Sequence, residues 1–403
     1  MRISTNMQYK NGLSYIQDSN SKLDILQRRA YDGKKFQTAG DDPSGMANYV
    51  KYTGAIAAFT QYSKDGGIAA NTLAEEETAL KSMWDALSSI NTRLQQCVDG
   101  TNDQNNLNAL AEDILQTRDQ LFDLMNTKNT DGEYIFSGAR SDVPTYSLTS
   151  DGHYSCQADG STRSVLVSPN VTVQVSDSGL NIFENCKTAN SMNVTATPAI
   201  TTSLISNYGD FGDLYTQYYS SAVSAVNNLT LDVAADGTFS IKDPAGNEIG
   251  TGEMDKNNST ITYKGMEFVL PDSNYTGTIN IELEAPKTDN ILNILTDTVA
   301  KIKDENISSA DKSAIIAESQ KDVLLAMDHY DSYRGKVGAR QNVIDNVISS
   351  NTSLSDIKTE SRAKVSEVDT FENTSALAQA KNQLEISRQT YSMLSKQSLF
   401  NYI

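Results

Sequence analysis

The side chains able to do chemistry are few and scattered. Histidine occurs only at His153 and His329, and cysteine only at Cys97, Cys156 and Cys186. A structural zinc site draws four ligands from short, repeated spacings; His153 sits in a turn, SDGHYSC, and His329 beside Tyr330 on a helical stretch, with no multi-ligand pattern around either. The three thiols lack Cys-x-x-Cys spacing and cannot all pair within the chain, so a disulfide scaffold is excluded. Cys156 and Cys186 flank a β segment, where they could join in an oxidising exterior or stay free. Cys97 keeps register with Ile90 and Leu94 and reads as a buried core thiol. GKVGAR (335–340) imitates a phosphate loop but lacks the preceding strand and the GK[ST] ending, so Gly335 and Gly338 read as sites of close helix approach. The acidic triplet Glu75–Glu77 reads as a solvated helix face. No catalytic, cofactor-binding or metal set is expected, and an enzyme is not expected.

Charge and composition narrow the class. The chain of 403 residues carries a net charge of −18, which argues against nucleic acid as a partner. Residues 1–50 hold 7 Lys and Arg against 5 Asp and Glu, and residues 355–403 hold 6 against 6, so the acidity is concentrated between near-neutral ends. Near-neutral ends can pack against copies of themselves, whereas an acidic middle repels. The opening MRISTNMQYKNGLSYIQDSN has no apolar h-region, so no cleavable signal peptide is expected. No apolar run approaches the roughly 20 residues needed to span a bilayer, and membrane insertion is not expected.

The positioning elements are helices at both ends and strands between. Leu13, Ile16, Leu23, Leu26 and Ala30 make a 3–4 stripe that stops at Asp32-Gly33 behind Arg28 and Arg29, a cationic helix end closed by glycine. Asp42 reads as an N-cap and Pro43 as the first residue of the next helix. Leu73, Leu80, Met83, Leu87, Ile90, Leu94 and Cys97 form the clearest heptad, and Leu107, Leu110, Ile114, Thr117, Leu121 and Leu124 its returning arm. DGEYIFSG (131–138) suits a short hairpin between glycines. From about 140 to 287 the alternation is that of strands, with an irregular link near 186–208 and a short helix near 213–228 dividing two small β units. Ile316, Val323, Tyr330, Val337 and Ile344 lie seven apart on one long helix. After a polar break at 349–355, Leu377, Leu384, Tyr391 and Leu394 mark the last one.

Five stretches together resemble the flagellin superfamily and, within it, the hook-associated protein 3 family of hook–filament junction proteins. They are MRISTNMQY, DGKKFQTAGDDPSGMAN (32–48, with Asp32 where that signature has Ser), DGEYIFSGAR (131–140), RGKVGARQNVID (334–345) and the closing YSMLSKQSLFNYI. The resemblance covers about residues 1–140 and 288–403. It implies a secreted, extracellular structural subunit at the hook–filament junction, exported through the flagellar type III channel. It also implies a homo-oligomeric ring with an upstream hook-associated junction protein, flagellin and an export chaperone as partners. A filament-forming flagellin, and an adhesin carried by the β insert, are the alternatives; GEYIFSG and SLFNYI favour the junction family.

The expected fold is therefore α+β: a long antiparallel helical bundle or coiled coil from both termini with an inserted antiparallel β-rich domain. Residues 1–45 and 355–403 are expected to be terminal helices whose folding is coupled to assembly, leaving 1–40 and 370–403 open to hydrogen exchange in a dilute monomer. Residues 46–140 and 288–354 form a helical core with the hairpin, and 141–287 the outer β insert. The expected assembly interface is Leu13, Ile16, Leu23, Leu26, Leu377, Leu384, Tyr391, Leu394, Leu399, Phe400 and Ile403, because apolar residues that run to the end of a chain need cover from outside it. Asp41, Asp42, Pro43, Glu133, Tyr134, Phe136 and Arg340 are the expected mechanical contacts between subunits.

Overall fold

The computed structural model describes the backbone of residues 5–98 and 103–400, with side chains over 7–98 and 103–393. The chain divides into two compact units, one comprising residues up to 66, 167–171 and from 346 onward, the other 67–166 and 172–345.

The first unit contains α1 (Thr5–Asp32), the start of α2 (Pro43–Val98), the end of α6 (Ser309–Ser366) and α7 (Thr370–Phe400). α1 stops where the sequence places its end: Gly33 takes φ +67° and its N–H reaches the Arg29 carbonyl at 3.0 Å. Asp42 caps α2 by accepting from the Gly45 N–H at 2.8 Å. The expected break at 349–355 is absent, and α6 runs through it to Ser366. The reason is that polar residues there are satisfied without leaving the helix. Asn351 is buried, donating to the Val167 carbonyl at 2.8 Å and accepting from the Ser168 hydroxyl at 3.2 Å. The break falls at 367–369 instead, and Asp369 caps α7 through the N–H groups of Phe371 at 2.9 Å and Glu372 at 3.2 Å.

The second unit is a helical bundle carrying a β insert. Its helices are the later part of α2, α3 (Gln104–Met125), α5 (Ile291–Lys303) and the earlier part of α6. The heptad from Leu73 to Cys97 is buried throughout, as are Ile316, Val323, Tyr330, Val337 and Ile344. α3 begins at its Asp103 cap and buries Ala111, Ile114, Leu121 and Met125, a stripe only partly shared with the expected one. Lys303–Glu112 (2.7 Å), at the surface, and Lys312–Gln104 (2.7 Å), with Lys312 buried, tie α5 and α6 to α3. Gly335 and Gly338 do not mediate close helix approach: a Cβ on either would meet nothing within 4 Å.

The insert differs from the sequence expectation in its connections. The supposed irregular link contains β5 (Met192–Thr197) and β6 (Thr202–Ile205), and the helix α4 spans Tyr208–Tyr218, capped by Asn207, rather than 213–228. One five-stranded antiparallel sheet has the order β5-β12-β7-β8-β9, with β7 at Asn228–Val233, β8 at Thr238–Lys242, β9 at Glu248–Glu253 and β12 at Gly277–Leu283; a three-stranded sheet has β6 beside the β10–β11 pair (Thr260–Tyr263, Met266–Val269). The β10–β11 turn is the expected Lys264-Gly265, with Gly265 at φ +77°. A Cβ there would lie 2.1 Å from the Asn207 carbonyl oxygen, so only glycine fits. Leu229, Leu231, Ile261, Phe268, Ile279 and Ile281, with Phe211 and Leu214 of α4, share a single core across both sheets. There is one β unit, because α4 joins the sheets instead of separating them. Smaller pairs, β1 with β2 (Tyr146–Leu148, Tyr154–Cys156) and β3 with β4 (Ser164–Ser168, Val171–Gln174), precede it.

Candidate assembly interface

In the first unit α1 and α7 pack antiparallel. Tyr9 meets Tyr391 edge-on with ring centroids 6.1 Å apart, and Asn373 donates to the Leu26 carbonyl at 3.1 Å. Of the apolar positions singled out in the sequence, Leu26 and Leu384 are buried and Ile16, Leu23, Leu377 and Tyr391 half-buried, while Leu13 is 48% exposed. Leu394, Leu399, Phe400 and Ile403 lie outside the residues whose side chains are described. The seam leaves a second apolar population facing solvent: Tyr15, Ile25, Tyr31, Phe371, Ile386 and Met393. Sequence reasoning missed these because they fall off the 3–4 stripe. A groove of about 700 Å³ follows the pair, lined among others by Gly12, Tyr15, Lys22, Gln383, Ile386 and Tyr391.

The segment after α1 is built on acids. Asp41 accepts from the Gln37 and Thr38 N–H groups, both at 3.0 Å, and these bonds, Thr38 first, hold its carboxyl below the usual range. Phe36 is buried edge-on to Tyr49, centroids 6.5 Å apart. A short clasp joins this segment to the α6–α7 turn: Lys35 N–H to Ser366 O at 2.8 Å and Val368 N–H to Gly33 O at 2.9 Å. Pro43 opens α2, so Asp41, Asp42 and Pro43 order one compact corner.

In the second unit, DGEYIFSG begins in a minimal hairpin, its residues 133–135 pairing with 127–129. A single antiparallel bridge, Lys128 to Tyr134, closes it, and the Asn129 side chain accepts from the Asp131 and Glu133 N–H groups at 2.9 Å each. Asn129 thus holds the turn, while its own N–H donates to the Glu133 carbonyl at 2.8 Å and the Ile135 N–H donates to the Thr127 carbonyl at 3.1 Å. Tyr134 lies under the Lys128 ammonium, 4.6 Å from its ring centroid. Glu133 pairs with Arg163 at 2.9 Å, which lowers its carboxyl pKa. Phe136 is fully buried against Phe183, centroids 5.2 Å apart, and is unavailable to a neighbour while the loop stays folded.

Arg340 lies within α6 and grips Asp177 bidentately, at 2.6 and 3.0 Å. Glu76 accepts from the Asp177 N–H at 3.2 Å and is 2% exposed, so the acidic triplet is not a solvated face at its centre. Glu76 occupies a heptad position between Leu73 and Leu80, which a periodic reading could have flagged. Burial, and next the Asp177 carboxylate, push its pKa far above the carboxylate range.

The reactive residue types have structural partners. All three cysteines are free; burial raises the Cys97 thiol to about 11 and the Cys186 thiol to about 12. His153 lies 3.2 Å from Asp297, and His329 3.2 Å from the Asn181 carbonyl. Among the described residues no group of three or more His, Cys, Asp or Glu could hold a metal, and no helix is long and apolar enough to cross a membrane.

Residues 3–141 match the model of the bacterial flagellin N-terminal helical region. Over this region the chain is similar to that family. It is 28% identical over 187 residues, 46% of this chain, to flagellar hook-associated protein 3 of Salmonella typhimurium. The match spans 57% of that protein's length, and the chain spans about half the length of the curated relatives it matches. The fold recurs in the flagellar junction protein FlgL of Legionella pneumophila (TM-score 0.59, 20% identity, 79% of this chain and 99% of that one). It recurs also in FlgL of Xanthomonas campestris (TM-score 0.58, 21% identity, 77% and 98%).

Proposed function

We propose that this chain is a member of the flagellin superfamily and the structural junction subunit of a bacterial flagellum, an adapter ring between the hook side and the flagellin filament. The observation that carries the reading is the similarity to hook-associated protein 3, placed on a chain whose paired terminal helices keep an exposed apolar side. In this reading residues 1–45 and 355–403 line the inner tube, 46–140 and 288–354 form the helical core and 141–287 face outward. The subunit is exported to the cell exterior with a chaperone masking its carboxyl end, and does no catalysis. Its neighbours are copies of itself, an upstream hook-associated protein and flagellin.

The interface then divides in two. Ile16, Leu23, Leu26, Leu377, Leu384 and Tyr391 hold the α1–α7 pair together, and Leu13 with the exposed aromatic and aliphatic residues beside it meets the neighbouring copy. Asp41, Asp42 and Pro43, with Glu133 and Tyr134, shape two loops that accommodate different neighbours on either side.

Seeded polymerisation tests this. On hook fragments carrying the upstream junction protein, the purified chain should form a short cap that elongates only after flagellin is added, seen by electron microscopy. Long filaments of this chain alone would instead make it a filament flagellin.

A further inference from the structure

The β insert leaves and rejoins the bundle through two antiparallel segments, 186–191 and 284–289. They are stitched by Thr188 N–H to Lys287 O at 3.0 Å, Asp289 N–H to Cys186 O at 3.2 Å and Glu284 N–H to Ser191 O at 3.0 Å, with an isolated bridge between Lys187 and Thr288. This neck is fixed to α6 at one point in its ingoing strand: the Ala189 N–H donates to Asp322 Oδ1 at 2.6 Å. Both residues are buried, Asp322 at 7% exposure. Two further side chains of α6 hold the preceding segment, His329 at Asn181 and Arg340 at Asp177. The three lie seven and eleven residues apart, on one face of the helix. Of these, Asp322 alone meets the neck itself.

We propose that Asp322 is a protonation-controlled latch that fixes the neck of the β insert to α6, closed as the neutral acid and loosened as the carboxylate. The charged and titratable groups that bear on it are Glu318, one turn earlier on α6, Asp289 on the outgoing neck strand, and Tyr208 at the start of α4. A buried carboxylate facing two other carboxylates is costly, whereas the neutral acid still accepts from Ala189 through its carbonyl oxygen. Burial is the largest influence on the group and raises its pKa from 3.8 to about 7, with Glu318 and Asp289 adding to it against the Ala189 N–H. In a locally opened neck the same carboxyl regains water and its ordinary pKa. Opening therefore becomes easier as pH rises from about 4 and levels off above about 7, where both states are ionised. The inference concerns the mobility of the insert and does not depend on the function proposed for the whole chain.

Hydrogen exchange by mass spectrometry on the full chain tests it, read at pH 5, 6, 7 and 8 and normalised for intrinsic exchange chemistry. Protection of peptides covering 187–191 and 284–289 should fall about tenfold per pH unit between pH 5 and 7 and then level. Peptides from the bundle heptad, 83–97, should not follow. In Asp322→Asn, whose amide oxygen can still accept from Ala189, the neck should keep a flat profile. Glu318→Gln, at an exposed position, removes one like charge and should move the levelling point to lower pH. A parent neck with no pH dependence from 5 to 8, or a fall shared equally by the bundle peptides, overturns the latch whatever the variants do. An Asp322→Asn profile that coincides with the parent also overturns it.

Discussion

Glu76 and Asp177 are held within one buried cluster because Arg340 reaches both oxygens of Asp177 and the Asp177 backbone N–H serves Glu76. Removing one partner from such a cluster leaves a charge without compensation, typically at about 3–5 kcal/mol, so Arg340→Ala should lower the urea midpoint of the bundle markedly. Glu76 behaves in the opposite way. Its folded-state pKa is raised, so the native state must take up a proton that the unfolded chain at neutral pH does not hold. Stability is fully present below the unfolded value near 4.5 and is lost as pH rises toward the folded one. Glu76→Gln abolishes that loss. The variant should match the parent near pH 4 and exceed it by about 1 kcal/mol or more at pH 7, as read from parallel urea titrations. Equal stability at both pH values would remove Glu76 from the buried cluster. The cluster was half legible: the heptad through Leu73 and Leu80 marks Glu76 as the internal member of EEE, but Asp177 reaches Glu76 and Arg340 only through the fold.

At the scale of elements, periodicity marked the long helices, did not single out α5, misplaced α4, and missed how polar residues continue or stop a helix. Ile316 to Ile344 was readable because burial repeats every seven residues. The polar run at 349–355 stays helical because Asn351 finds partners on Val167 and Ser168, long-range contacts that local propensity cannot anticipate. The same limit explains the segment 186–208, whose two strands pair with β11 and β12 far along the chain. The terminal helices offer a direct test, since α1 and α7 bury their stripes on each other. Leu384→Ala removes a buried side chain worth about 2 kcal/mol or more. Exchange should therefore rise over both 5–32 and 370–393. Asp369→Ala costs a cap of about 1 kcal/mol and should raise exchange only in the first turn of α7. A Leu384→Ala variant that loosens α7 while α1 stays unchanged would show that the seam does not hold the pair together.

For the molecule as a whole, charge follows the division into units. The unit containing both termini carries 15 Lys and Arg against 12 Asp and Glu, a net of +3, and the unit with the bundle and insert carries 18 against 39, a net of −21. In an assembly of copies, like units that approach one another repel in proportion to this acidity, and the terminal helices must supply the attraction. Repulsion among exposed charges is screened within about 10 Å at 0.1 M salt but extends to about 30 Å at 0.01 M. Burial of exposed groups such as Tyr15, Tyr31 and Phe371 does not weaken with salt in that range. Self-association of the purified chain, followed by analytical ultracentrifugation, should therefore strengthen as sodium chloride rises from 0.01 to 0.3 M. Replacing Tyr31 and Phe371 by serine should abolish association at every salt concentration, while leaving the circular dichroism of the monomer unchanged. Association that weakens with salt would mean that complementary charges join the copies, and the apolar side of the terminal helices would then not be the surface that carries assembly.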